Sequence, residues 1–292
     1  MNRRPEVAVV APLTGPRAAW GAVLLGGIER AKAEHPAAAD WRVHDETAGV
    51  EEEVVAGGYA AVVGHSDPAR GRIAEAVYGA AGLTCLLPFL PPGATGTTGA
   101  TELSWSPDGD SLPGLIVEGA AALGAATLRI LHDGSPQWTE LARRVGEESA
   151  AAGLPASPLP SPSPSPSGGK RDVLAVLAPQ ELCLRLARAA GPRGPVLIPA
   201  DCGLGTFRSL DPDAAGLEVW AVHAQSCAVR RADRAVTALA RTLAAAPDLR
   251  GPQLTAAVRA NSGVLLTPRG APLGEGWRIS RLHELCRRPD PR

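Results

Sequence analysis

Val7-Ala8-Val9-Val10-Ala11-Pro12-Leu13-Thr14-Gly15-Pro16 decides how this chain is read. Five apolar residues without alternation describe a strand buried on both faces, and such strands belong to parallel sheets covered by helices. The run stops at Pro12, which cannot donate to a ladder, and the Leu-Thr-Gly-Pro that follows turns the chain. Beyond the turn Val23, Leu24, Gly27, Ile28 and Ala31 recur at i, i+1, i+4, i+5 and i+8, the apolar stripe of a helix laid on a sheet.

The same alternation continues outward. Residues 41–45, 60–64 and 83–87 read as three further strands, with Ile73, Val77 and Ala80 marking the helix between the last two and Gly82 ending it. A helix over residues 112–123 leads to strand 127–132, and Trp138, Leu141, Ala142 and Val145 share one face of the helix after it. Strands follow at 173–178, 196–199 and 217–222, with Leu182, Leu186 and Ala189 on an intervening helix. A long amphipathic helix carries Val236, Leu239, Ala240 and Leu243, and a shorter one spans Leu254 to Val258. Strands spaced by helices of this length predict an α/β fold with parallel sheets flanked by helices on both faces.

Residues 155–169 break the rhythm. Their core, Pro158-Leu159-Pro160-Ser161-Pro162-Ser163-Pro164-Ser165-Pro166-Ser167, is a Ser-Pro repeat and is expected to be an extended loop inserted into the fold. Residues 287–292 are expected to be a frayed tail.

Composition excludes several classes. The 292 residues carry 29 basic and 30 acidic side chains, a balance that lacks the cationic excess a nucleic-acid binder needs. Nothing approaches the roughly 18 consecutive apolar residues of a membrane span, and 45% hydrophobic residues is too many for wholesale disorder. Six of the ten aromatic residues are tryptophan, so any binding surface depends on few rings. The heavy excess of Arg over Lys, with abundant Ala, Gly and Pro, reads as high-GC coding bias. Met1 to Pro5 runs directly into the first strand, without the apolar stretch of about 7–15 residues and cleavage site of a secretory signal, so the expectation is a cytoplasmic location. Cys85, Cys183, Cys202, Cys227 and Cys286 have no CxxC spacing; buried free thiols are expected, with one long-range disulfide as the alternative.

The motifs that would announce an enzyme are missing or broken. Gly64-His65-Ser66-Asp67-Pro68 stands at a strand end but lacks the second glycine of a nucleophile elbow, and three consecutive residues cannot fold onto one another as a triad. Gly93-Ala94-Thr95-Gly96-Thr97-Thr98-Gly99 has no lysine after it and not the spacing of a phosphate-binding loop, and Gly203-Leu204-Gly205 is weaker still. No metal-spaced His or Cys cluster is found. His132-Asp133 closes a strand and is expected to serve a structural hydrogen bond. The chain is therefore read as a non-enzyme without cofactor. Ligands of open α/β sheets bind beyond the carboxyl ends of the strands, near helix N-termini. Here those ends are the loops at residues 12–21, 65–70, 88–92, 133–138, 178–181 and 200–205.

The opening stretch, with Trp20-Gly21 and Gly26-Gly27, resembles the start of the leucine/isoleucine/valine-binding type of solute-binding protein, the type I periplasmic binding proteins that serve ABC importers. The similarity continues in Val62-Val63-Gly64-His65 with a helix ending at Tyr78, in Ile130-Leu131-His132-Asp133 followed by Trp138, and in Asp213-Ala214-Ala215-Gly216-Leu217 before a strand. It spans almost the whole chain. The resemblance implies two Rossmann-like lobes joined by a hinge of three crossovers, lobe one at residues 1–106 plus 224–272 and lobe two at 107–223 plus 273–292. It implies a ligand held between them, and a permease or signalling partner that reads the closed form.

In amino-acid-binding relatives a serine hydroxyl and backbone amides after the third strand meet the ligand carboxylate. Carried over, that place is held by Ser66, Asp67, Pro68 and Ala69, with Pro68 removing a hydroxyl and an N–H at once. An Ala-Thr pair after the fourth strand corresponds to Leu90 and Pro91, or with a shift to Thr95. Asp201 lies within a residue of the acidic group that pairs with the ligand ammonium, Trp138 takes the place of a ring that packs on the ligand, and Trp20 matches a first-loop tryptophan. Two rings and a carboxylate suit an amino-acid-like, cationic or amphipathic ligand. The leading expectation is thus a small-molecule solute-binding protein. The alternatives are a cytoplasmic sensor, or a biosynthetic accessory or enzyme that reuses the cleft with His65, His132, Asp133 or Asp201 as base, or a degenerate scaffold for a protein partner.

Overall fold

The computed structural model describes residues 4–91, 101–159, 171–201, 204, 216–267 and 271–287. The chain divides into two α/β units, Met1–Gly109 with Ser226–Glu275 and Asp110–Gln225 with Gly276–Arg292, and passes between them three times.

The first unit begins with β1 (Glu6–Ala11), α1 (Ala18–Glu34), β2 (Asp40–Asp45), α2 (Val50–Ala56), β3 (Ala61–Gly64), α3 (Pro68–Ala80), β4 (Thr84–Leu87) and β5 (Glu102–Ser104). Its sheet runs β2-β1-β3-β4-β5 and every pairing is parallel. The second unit supplies α4 (Leu112–Ala122), β6 (Thr127–His132), α5 (Pro136–Ala151), β7 (Ala156–Leu159), β8 (Asp172–Leu177), α6 (Gln180–Ala190), β9 (Val196–Pro199) and β10 (Val219–Ala224). Two helices, α7 (Ala228–Ala245) and α8 (Gly251–Ala260), return to the first unit. The chain ends in the second with β11 (Trp277–Arg281) and α9 (Leu282–Arg287). The second sheet runs β11-β10-β9-β8-β6-β7, parallel except that β11 lies antiparallel to β10.

The continuous apolar runs are strands buried on both faces. In β8 and just past it Val173, Ala175 and Leu177 enter one core with Ile116, Ile130 and Leu197, while Leu174, Val176 and Ala178 enter another with Cys183, Ala187 and Ile198. Val7 to Ala11 in β1 are likewise fully buried, with Ala8 and Val10 packed against Val62, Ala74 and Tyr78. Burial on both sides removes water from every apolar side chain of such a strand, at about 25 cal/mol for each Å² covered.

Two expectations need correction. Residues 156–159 are not inserted loop: they form β7, paired with β6 in the register Ile130↔Pro158. Pro158 is tolerated because β7 is the sheet edge, where a strand needs only one bonded side. The rest of the Ser-Pro repeat lies outside the described residues, as do Thr95 with its glycine-rich loop, Cys202, and residues 288–292. The second sheet is also not wholly parallel, because Trp277–Arg281 adds an antiparallel edge that the sequence rhythm did not announce. Cys85 and Cys183 are buried free thiols, and Cys227 is half-buried. Burial raises the titration of both buried thiols well above the usual range, so neither is a nucleophile.

Candidate functional site

In the first unit the carboxyl ends of β1, β2 and β3 meet in one polar cluster. It is built on an unusual turn. Gly64, at the end of β3, has φ +149°, and a Cβ there would stand 1.9 Å from the Val10 carbonyl oxygen of the neighbouring strand. His65 follows in the left-handed region at φ 58°, which is rare for a residue with a side chain. Its N–H donates to the Val10 carbonyl at 3.1 Å. Its ring is buried, with Nε2 3.1 Å from the Tyr78 hydroxyl and Nδ1 3.3 Å from Glu46 Oε1.

Glu46 is the residue that the turn is wrapped around. It directly follows β2, its N–H bonds the Ala11 carbonyl at 3.0 Å, and its side chain is only 2% exposed. The carboxylate accepts from the Ser66 N–H at 2.9 Å, the Ser66 hydroxyl at 2.9 Å and the Asp67 N–H at 3.2 Å. Burial works hardest on this group and disfavours its charge. The His65 ring and the Ser66 and Asp67 donors outweigh that and hold the carboxyl below the usual range. Arg17 closes the other side, donating from its guanidinium to the Ser66 hydroxyl and carbonyl oxygens. Its guanidinium carbon also stands 5.8 Å from the Trp20 ring centre. Trp20 is buried and meets Phe89 edge-on, ring centres 5.1 Å apart.

The residues expected in this unit thus lie close together, but with their hydrogen-bonding groups engaged. Asp67 caps α3, its carboxylate accepting from the Ala69 N–H at 2.8 Å. Leu90 is a core residue: it is 5% exposed, fills the space beside Gly71, and its carbonyl accepts from the Ser104 hydroxyl at 2.5 Å. The sequence does not single out Arg17, Glu46 or Phe89, and it marks Tyr78 only as the end of a helix. Glu46 lies one residue past the second strand, and nothing in the sequence distinguishes it there from a surface glutamate.

In the second unit Trp138 and Asp201 follow β6 and β9, strands that β8 separates. The Trp138 ring packs on the core formed by α4, β6 and β8, and its indole N–H is buried without a hydrogen-bond partner among the described residues. Asp201 is half-buried and its N–H donates to the buried Gln180 side chain at 2.7 Å, which ties the loop after β9 to the start of α6. His132 and Asp133 are spent on the turn before α5: His132 Nδ1 accepts from the Gly134 N–H at 3.1 Å, and the Asp133 carboxylate accepts from the Ser135 N–H at 2.9 Å and hydroxyl at 2.6 Å. Among the described residues no three His, Cys, Asp or Glu side chains are grouped to hold a metal ion, and no helix is long and apolar enough to cross a membrane.

No protein-family model matches the chain, and no curated protein matches it. Solved structures do. An ABC transporter substrate-binding protein from Desulfitobacterium hafniense, in complex with Leu, superposes with a TM-score of 0.71 at 14% identity, covering 96% of this chain and 98% of its own. The leucine-binding protein LivK of Thermotoga maritima gives 0.71 at 14% identity over 96% and 100%. A solute-binding protein of an ABC transporter from Rhodopseudomonas palustris, in complex with benzoate, gives 0.69 at 12% identity over 96% and 93%. Other structural neighbours are named extracellular ligand-binding receptors, which lends the cytoplasmic expectation no support. Over 96% of its length this chain therefore has the type I periplasmic binding fold, that of the leucine- and branched-chain amino-acid-binding proteins of ABC transporters.

Proposed function

We propose that the protein is a non-enzymatic solute-binding protein that closes its two lobes on one small polar or cationic molecule. The observation that carries this reading is the fold over the full chain, together with the place of the polar and aromatic groups. In each unit they follow the carboxyl ends of parallel strands, the end at which open α/β sheets take ligands. Trp20 in the first unit and Trp138 and Asp201 in the second are the side chains we assign to the ligand. Ser66, Asp67, Ala69 and Leu90 hold the first unit's loops in shape. Three of the four candidate bases support the same reading, because His65, His132 and Asp133 each make structural hydrogen bonds within their own turns or cores. A permease or a signalling protein that reads the ligand-bound form is the partner such a protein serves.

A thermal-shift screen against amines, amides, amino acids and aromatic acids tests it. A ligand at a hundred times its dissociation constant stabilises the folded state by about 2.7 kcal/mol. The expected result is a saturable shift with one compound class that weakens in Asp201→Ala. Turnover of the bound compound, or a shift indifferent to Trp20, Trp138 and Asp201, would overturn the reading.

A further inference from the structure

The β3–α3 turn of the first unit is built as a receptor for a carboxylate, and the chain supplies that carboxylate itself. Two backbone N–H groups, from Ser66 and Asp67, and one hydroxyl converge on Glu46, with the His65 ring beside it and the Arg17 guanidinium bound to the same serine. Backbone donors converging from a turn at a helix start are the usual means of holding a fixed anion. The donors of the next residues are also used up: Pro68 has none, and the Ala69 N–H is taken by Asp67. Strain points the same way. A buried histidine at positive φ persists only where its surroundings over-determine it, and here those surroundings are Tyr78, the Val10 carbonyl and Glu46.

We propose that Glu46 is a resident carboxylate that sets ligand class, filling the anion receptor of lobe one so that the protein rejects solutes anchored there by a carboxylate and takes neutral or cationic ones. A second carboxylate brought to this turn would find its donors occupied and would face a like charge held out of water, where screening is weak. This inference deepens the solute-binding reading and rests on it for the word ligand, but the receptor itself can be tested without any natural ligand.

The probes are formate and acetate, with formamide and chloride at equal ionic strength as controls. Wild-type protein is expected to show no saturable response to any of them. Glu46→Ala removes the carboxylate and leaves a vacancy bordered by the Ser66 and Asp67 N–H groups, the Ser66 hydroxyl and the His65 ring. Its thermal midpoint is expected to fall by several degrees and to be restored in a saturable manner by formate or acetate, not by formamide or chloride. Glu46→Gln keeps the shape filled and is expected to stay unresponsive. If Glu46→Ala does not fold alone, refolding in formate but not in formamide is the same result. A saturable formate response in wild type, or an Ala variant that neither responds nor refolds with a carboxylate, overturns the receptor. A natural ligand whose affinity requires its free carboxylate at this turn overturns the specificity while leaving the solute-binding reading in place, so the two failures are distinguishable.

Discussion

Glu46 and Glu75 are both acidic side chains held partly or wholly out of water, and their surroundings push them in opposite directions. Glu46 is held below the ordinary carboxylate value of 4.5 because the groups that bind its charged form outweigh its burial. A depressed carboxyl binds fewer protons folded than unfolded, so its contribution is fully present above that ordinary value and is lost as pH falls through the folded one. Glu75, on α3, is pushed up to about 8, first by burial and then by the charge of Glu102, with Arg72 working against both. A raised carboxyl contributes stability that is fully present below 4.5 and is lost as pH rises through about 8. Midpoints measured across pH should therefore separate the two. Glu46→Gln is expected to be the less stable protein at neutral pH with a flattened acid limb. Glu75→Gln should leave the limb below pH 4.5 alone and remove the decline between about pH 4.5 and 8. Discounted for the partial exposure of Glu75, the gain at the alkaline end is on the order of 1 kcal/mol.

The β3–α3 connection shows what an element boundary demands of its residues. Gly64 and Gly15 both have positive φ, but only Gly64 has a neighbouring backbone where a Cβ would go; Gly15 opens to empty space. Gly15→Ala should cost about 1–2 kcal/mol, the ordinary penalty of a side chain in the left-handed region. Gly64→Ala should cost about 3 kcal/mol or more, because β3 must part from β1 or the turn must move; equal losses in denaturant unfolding would refute the distinction. Most elements were legible because burial on both faces leaves an unbroken apolar run, as in β1, β3, β8 and β9. The elements that escaped notice lack that mark. β5 is three residues, Glu102-Leu103-Ser104, with one apolar side chain, and α2 is Val-Glu-Glu-Glu-Val-Val-Ala, too short for two turns of stripe. β7 carries Pro158, and β11, Trp-Arg-Ile-Ser-Arg, is partly exposed with only two apolar residues. Each of these three strands is a sheet edge, where the reason for apolarity is weakest. The site was legible as a set of loops, since strand ends can be counted. Its central carboxylate was not, because a buried Glu bound by backbone N–H groups looks in sequence like any other surface Glu.

At the scale of the whole molecule the proposed function requires something neither unit supplies alone. Each unit has its own sheet and its own cores, yet the chain crosses between them three times. A ligand shared by both units would draw on groups far apart in sequence, and each group's contribution is measurable. Trp20→Ala removes a ring from the first unit and Asp201→Ala a charge from the second. Trp20→Ala is expected to weaken binding of the screened ligand by about 0.5–1.5 kcal/mol, the loss of a ring contact, and Asp201→Ala by about 1.5–3 kcal/mol, the loss of a charge-assisted hydrogen bond. The two residues lie in different units, so if the ligand meets both, the losses should add in the double variant to within about 0.5 kcal/mol. Tryptophan fluorescence should report one ligand per chain. If only one substitution matters, the ligand sits on a single unit and closure has no role. If neither matters while Ala substitutions elsewhere on the surface abolish function, the fold has been kept for a protein partner instead.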